Sequence, residues 1–147
     1  MKPTADFTRA LDIWRDMREE RTATPDAMLY ATLMDAAGRA GERDVAERIM
    51  FEMERDGVAP TPEVFATLAG IAAKDGDVEG VERVLDEMGA RGEAAPLSTY
   101  NALIAAAARV GDFEAADDAA ARLEAAGLSK DECTYEGLVR AAAAAGR

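Results

Sequence analysis

One spacing governs this chain: landmarks return every 35 residues. An aromatic stands at Tyr30, Phe65, Tyr100 and Tyr135, and a leucine follows three residues later at Leu33, Leu68, Leu103 and Leu138. Glycines form two further series, Gly41, Gly76, Gly111, Gly146 and Gly57, Gly92, Gly127. Several landmarks sharing one period mark an array of like units, each burying its apolar face against the next.

Each unit reads as two helices. The first carries an apolar stripe at i, i+3 and i+7: Tyr30, Leu33, Ala37; Phe65, Leu68, Ala72; Tyr100, Leu103, Ala107; Tyr135, Leu138, Ala142. The aromatics lie in that stripe, so they are expected in the core and not as a stacking ladder for bases. Asp26 and Asp131 are expected to cap these helices, and Thr61 to cap the one that opens with Pro62. A glycine then ends each one with positive φ. The second helices carry Ala46, Ile49, Met50, Met53; Val78, Val81, Val84, Leu85, Met88; and Phe113, Ala116, Ala119, Ala120, Leu123. Asp77 and Asp112 are their expected caps. Ala119 and Ala120 stand where Ile49, Met50, Val84 and Leu85 stand elsewhere. Packing is therefore expected to weaken toward the C-terminus, unless small side chains let the helices close in.

The expected fold is an all-α, right-handed α-solenoid of helix–turn–helix repeats forming a single repeat domain over 1–147. Complete repeats span 27–61, 62–96 and 97–131. Residues 1–26 hold a second helix only, and 132–147 a first helix only. The apolar residues of the opening half repeat, Phe7, Ala10, Ile13, Trp14 and Met17, do not look like a polar cap. Phe7 and Trp14 are expected as exposed contacts for a partner, unless the chain is a piece of a longer array; Trp14 also reads as a core residue. No apolar run reaches the roughly 20 residues that span a bilayer, so membrane insertion is not expected. With no histidine and one cysteine, Cys133, neither a disulfide nor a Cys/His zinc site can form within the chain.

Thr99-Tyr100-Asn101-Ala102-Leu103-Ile104, Arg109-Val110-Gly111-Asp112, and Asp86-Glu87-Met88 with Gly92, on a 35-residue period, resemble the pentatricopeptide repeat family. The resemblance covers essentially the whole chain. It implies first helices on an inner face and a chloroplast or mitochondrial location. It also implies binding of single-stranded RNA at about one base per repeat, with no DNA partner and no cofactor.

By the same resemblance, the residue after each aromatic and the last residue of that repeat read the base. These are Asn101 with Asp131, a uracil combination in the family, then Ala31 with Thr61, and Ala66 with Pro96. Alanine and proline offer no side-chain hydrogen bond to a base edge. Met28, Glu63, Ser98 and Cys133 would pack on bases, and Glu63 brings negative charge there. Arg39, Lys74 and Arg109 would lie near phosphates. A basic residue at a helix C-terminus is favoured by the helix dipole in any case.

The net charge of −12 argues against a polyanion partner. Over 27–40, 62–75, 97–110 and 132–145, four basic residues (Arg39, Lys74, Arg109, Arg140) meet five acidic ones (Asp35, Glu63, Asp75, Glu132, Glu136), leaving −1. The inner helices thus read as near neutral, with the acidity elsewhere. Two functions remain: a weak or partial RNA-binding module, or a structural adaptor holding protein subunits in a large assembly. The family resemblance favours RNA binding as the function, while acidity, the incomplete reading pairs and the open ends tilt the role of this particular chain toward the adaptor. Catalysis is not expected: Asp117 and Asp118 are consecutive and point apart, and Cys133 has no histidine to activate it.

Overall fold

The structure, a computed structural model, describes residues 5–20 and 26–146. Among them it contains eight helices and no strand: α1 (Ala5–Glu20), α2 (Ala27–Arg39), α3 (Arg43–Arg55), α4 (Pro62–Lys74), α5 (Val78–Ala90), α6 (Leu97–Arg109), α7 (Phe113–Ala125) and α8 (Glu132–Ala144). From α2 onward every start repeats at 35 residues, as the sequence periodicity requires. Contacts gather into two units, Met1–Thr67 and Leu68–Arg147, with the division falling inside α4.

The punctuation is local chemistry. Asp26, Asp77, Asp112 and Asp131 each accept from the amide three residues on, at 2.9, 2.9, 3.1 and 2.9 Å. All seven glycines of the two series have positive φ. At Gly111 the positive φ is the whole requirement, and at Gly76 it is double. Their φ values of +69° and +71° disfavour a side chain, and a Cβ at Gly76 would meet Val110 Cγ1 at 3.2 Å. Asp77 and Asp112 close these turns by donating their amides to Ala72 (3.0 Å) and Ala107 (2.9 Å), so α4 and α6 stop just after Lys74 and Arg109.

In the first unit, α2 packs on α3 and carries α1 on its other contact. Tyr30, Leu33, Met34 and Ala37 of α2 and Ala46, Ile49 and Met53 of α3 are buried. The Tyr30 hydroxyl donates to Asp56 Oδ2 at 2.5 Å. Trp14 is also buried, edge-on to Tyr30 with ring centroids 6.5 Å apart. That overturns its expected place as an exposed partner contact, because the α1–α2 contact itself consumes the indole. Ile13, expected in the apolar stripe, is 57% exposed. Phe7 falls outside the described side chains.

In the second unit, α6 packs against α5, α7 and α8. Its core is largely alanine, with Val81, Leu85, Leu103 and Ile104 as the bulkier members. Ala119 and Ala120 are buried, and α7 packs on α6 about as extensively as α3 on α2. The small side chains therefore act through close approach, not by loosening the interface. The core expectation fails at the last aromatic. Tyr135 is 57% exposed and Val139 67%, whereas Tyr30 and Phe65 are buried. The neighbours differ: α2 lies against α3, and no second helix follows α8 within these residues.

Candidate nucleic-acid interface

Within the second unit, α4, α6 and α8 border a groove of about 570 Å³. Its apolar lining is made of small residues: Gly70, Ala73, Ala102, Ala105, Ala108 and Gly137. Its polar lining is Asn101, Cys133 and Glu136, together with three cations, Lys74, Arg109 and Arg140. All three cations are exposed, and none forms an ion pair among the described residues. Against them stands one carboxylate, that of Glu136. The charge count over whole first helices hid this local excess, because Asp35, Glu63, Asp75 and Glu132 do not line the groove.

The phosphate-side series is not uniform. In the first unit Arg39 is held by Asp35 one turn earlier, Nε to Oδ2 at 3.1 Å, with both side chains more than half exposed. Lys74 and Arg109 have no such partner among the described residues. Both occupy the last residue of a helix, where the dipole favours a cation.

Of the base-side residues, the structure brings Asn101 and Asp131 together. Asp131 is the N-cap of α8, and Asn101 lies in the first turns of α6. Asn101 Nδ2 donates to Asp131 Oδ1 at 3.2 Å. Thr134 ties the two: its amide donates to Asp131 Oδ1 at 2.9 Å, and its hydroxyl lies 2.6 Å from Asn101 Oδ1 and 2.8 Å from Asp131 Oδ1. The Asp131 amide donates back to Thr134 Oγ1 at 3.2 Å, closing a capping box. The Thr134 amide first, then its hydroxyl, then Asn101, hold the Asp131 carboxyl below its ordinary value. The group is therefore ionised at neutral pH and can only accept. Asp131 Oδ2 and the second Nδ2 proton of Asn101 remain without partners among the described residues.

The other pairs supply no comparable arrangement. Thr61 Oγ1 accepts from the Val64 amide at 3.4 Å, so it acts as a helix cap, and Ala31 is half-buried. Pro96 is the N-cap of α6 and offers no side-chain bond, and Ala66 has no polar atom beyond its backbone. Thr99 shows the consequence. It stands 35 residues before Thr134, is fully buried, and its hydroxyl has no partner among the described residues, because the residue three before it is Pro96 and not an aspartate. Met28, Glu63, Ser98 and Cys133 are all exposed.

Two residues of this site escape the sequence reading. Arg140 belongs to no 35-residue cationic series; at the position 35 after Arg109 stands Ala144. Only helical spacing, four residues before Ala144, could have pointed to it. Gly137 is a glycine inside α8 with no turn to serve. No group of His, Cys, Asp and Glu among the described residues could hold a metal ion, and no described helix is long and apolar enough to cross a membrane.

Comparison with protein families matches residues 2–147 to the pentacotripeptide-repeat region of PRORP. Comparison with curated proteins gives no match. Among solved structures, the chain is similar to the PPR domain of Arabidopsis thaliana protein-only RNase P 1 (PRORP1) in complex with tRNA. The TM-score is 0.82 at 20% identity, covering 96% of this chain and 74% of that one. It is similar to the nuclear proteinaceous RNase P 2 (PRORP2) of A. thaliana, with TM-score 0.79 and 20% identity over 97% of this chain and 32% of that one. It is also similar to the pentatricopeptide repeat protein PPR10, from maize, in complex with an 18-nt psaJ RNA element. There the TM-score is 0.80 and the identity 27%, over 96% of this chain and 21% of that one. The chain shares the all-α helical-repeat solenoid fold of these proteins, while spanning a third of PRORP2 and a fifth of PPR10.

Proposed function

The chain belongs to the pentatricopeptide repeat family, and we propose that it is a non-catalytic module that binds single-stranded RNA in the groove of its second unit. The observation that carries this is the Asn101–Asp131 pair, locked by Thr134, with one amide proton and one carboxylate oxygen left over beside three uncommitted cations. A free donor next to a free acceptor that is ionised at neutral pH complements a carbonyl oxygen next to an imino N–H. Uracil presents that edge, and guanine does so through O6 and N1–H; the family resemblance favours the pyrimidine. Cytosine and adenine present a ring nitrogen acceptor, which a carboxylate repels. Discrimination at one base edge is worth about 1–3 kcal/mol. The remaining pairs offer alanine, proline or a committed threonine, so their nucleotides are bound without selection.

The relatives caught with tRNA and with psaJ RNA support RNA as the ligand class. A chloroplast or mitochondrial location rests on family resemblance alone, and one relative, PRORP2, is named as nuclear. The test is titration with labelled oligo(U), oligo(C) and oligo(A). Oligo(U) should bind tightest, with affinity falling about 20-fold between 50 and 200 mM salt for three phosphate contacts. Absence of binding, or binding indifferent to salt, removes the reading.

A second reading, an adaptor for protein subunits, is favoured by one feature: Tyr135 and Val139 lie one turn apart on α8 and are both mostly exposed. A stoichiometric polypeptide that stays bound through nuclease treatment would establish it.

A further inference from the structure

We propose that Arg140 supplies the third phosphate contact of this groove, in place of the cation that the 35-residue row lacks at Ala144. The inference deepens the RNA reading and rests on it. The row runs Arg39, Lys74, Arg109 and then fails, since Ala144 carries no charge. Four residues earlier, on the same side of α8, stands Arg140, and it lines the same groove as Lys74 and Arg109. One helical turn displaces its Cα by about 6 Å toward the N-terminus of α8. The cation is thereby drawn from the end of the helix toward the end that carries Asp131.

Three further facts favour a ligand role. Arg140 is exposed, so it is not held by the core. It forms no ion pair among the described residues, although Glu136 sits at the i−4 position that suits one. The positions 35 and 70 residues before it are Ala105 and Gly70, both lining the groove, so no side chain from that row fills the space in front of it. A planar guanidinium in such a place matches the paired oxygens of a phosphodiester.

The experiment is the salt dependence of fluorescein–oligo(U) binding for the whole chain and four variants, Arg140→Gln, Lys74→Gln, Arg109→Gln and Arg83→Gln. Each lost phosphate contact should lower the slope of log affinity against log salt by about 0.7. Arg140→Gln is expected to show that decrement, as are Lys74→Gln and Arg109→Gln. Arg83, an exposed cation on α5 outside the groove, controls for net charge and should leave the slope unchanged. A parental slope in Arg140→Gln, with decrements in the other two groove variants, overturns the assignment of Arg140 alone. A parent that fails to bind overturns the RNA reading and this inference with it.

Discussion

Gly137 of α8 lies so close to Ile104 of α6 that a Cβ at residue 137 would sit 2.6 Å from Ile104 Cγ2. Ile104 is fully buried, so it has little room to retreat. The positions 35 residues earlier hold Ala102 and Ala69. The array thus trades volume between successive helices: a small pair at one level, and glycine against isoleucine at the next. Gly137→Ala should cost about 1–3 kcal/mol by overpacking, despite alanine's better helix propensity. Ile104→Ala alone should cost about 2–5 kcal/mol. Together they recreate the alanine pair, and the double variant should be more stable than the two losses added, by about 0.5–3 kcal/mol. Urea unfolding midpoints at constant m-value measure this, and strict additivity would refute the coupling.

Thr99 and Thr134 hold equivalent positions with opposite hydrogen-bonding fates. Thr134 is saturated by Asp131 and Asn101, while the Thr99 hydroxyl is buried without a partner. An unsatisfied buried hydroxyl costs about 1–3 kcal/mol. Thr99→Val should therefore leave stability unchanged or raise it by about 1 kcal/mol, and the chain already carries Val64, fully buried, at this register. Thr134→Val should do the reverse. It breaks the capping box and frees Asn101 and Asp131 to reorient, so uracil preference should drop while the salt slope persists. Thermal unfolding and base-selective titration separate the two effects, and a destabilised Thr99→Val would show that its hydroxyl is satisfied after all.

How far these features were legible in the letters depends on whether their cause is local. Helix starts, caps and glycine turns follow from residues within a few positions of one another, and Asp77, Asp112, Gly76 and Gly111 behave as read. Burial depends on a neighbour. Tyr135 repeats Tyr30 in register and in chemistry, yet Tyr30 has α3 beside its helix, and among the described residues no helix follows α8 to stand beside Tyr135 in the same way. Trp14 read as core or as an exposed contact, and the choice fell to the core because α2 is near enough to bury it. At the site, Asn101 and Asp131 come from the family pattern and do meet. Arg140 lay hidden because the period was read as a strict row, while a helix offers the same face again one turn away.

Asp131 makes stability depend on acid. Its folded-state pKa lies below the ordinary value of 3.8, held down chiefly by the Thr134 amide. A depressed carboxylate pKa contributes stability that is present above the unfolded value and lost as pH falls through the folded one. The parent should therefore lose stability below about pH 4. Asp131→Asn should lose less over that range, since asparagine still caps the helix without titrating. Chemical unfolding of both proteins at neutral and acidic pH provides the comparison. Parallel pH profiles would mean that the carboxylate makes no net contribution.

The groove's one carboxylate opposes the ligand proposed for it. Glu136 occupies the register of Asn101, and removing its charge removes repulsion toward a phosphate. At about 8 Å in water-like surroundings that repulsion is about 0.5 kcal/mol, so Glu136→Gln should tighten oligo(U) binding roughly twofold at low salt. The gain should fade as salt approaches physiological strength, where the screening length is about 8 Å. Arg39 provides the counterpart in the first unit. Asp35 already offsets its charge at 3.1 Å, so Arg39→Gln should change the salt slope less than Lys74→Gln does. Asp35→Asn should restore Arg39 as a phosphate contact and raise the slope. If Glu136→Gln instead weakens binding at low salt, the carboxylate is itself a contact to the ligand, and the charge argument for the groove fails at that residue.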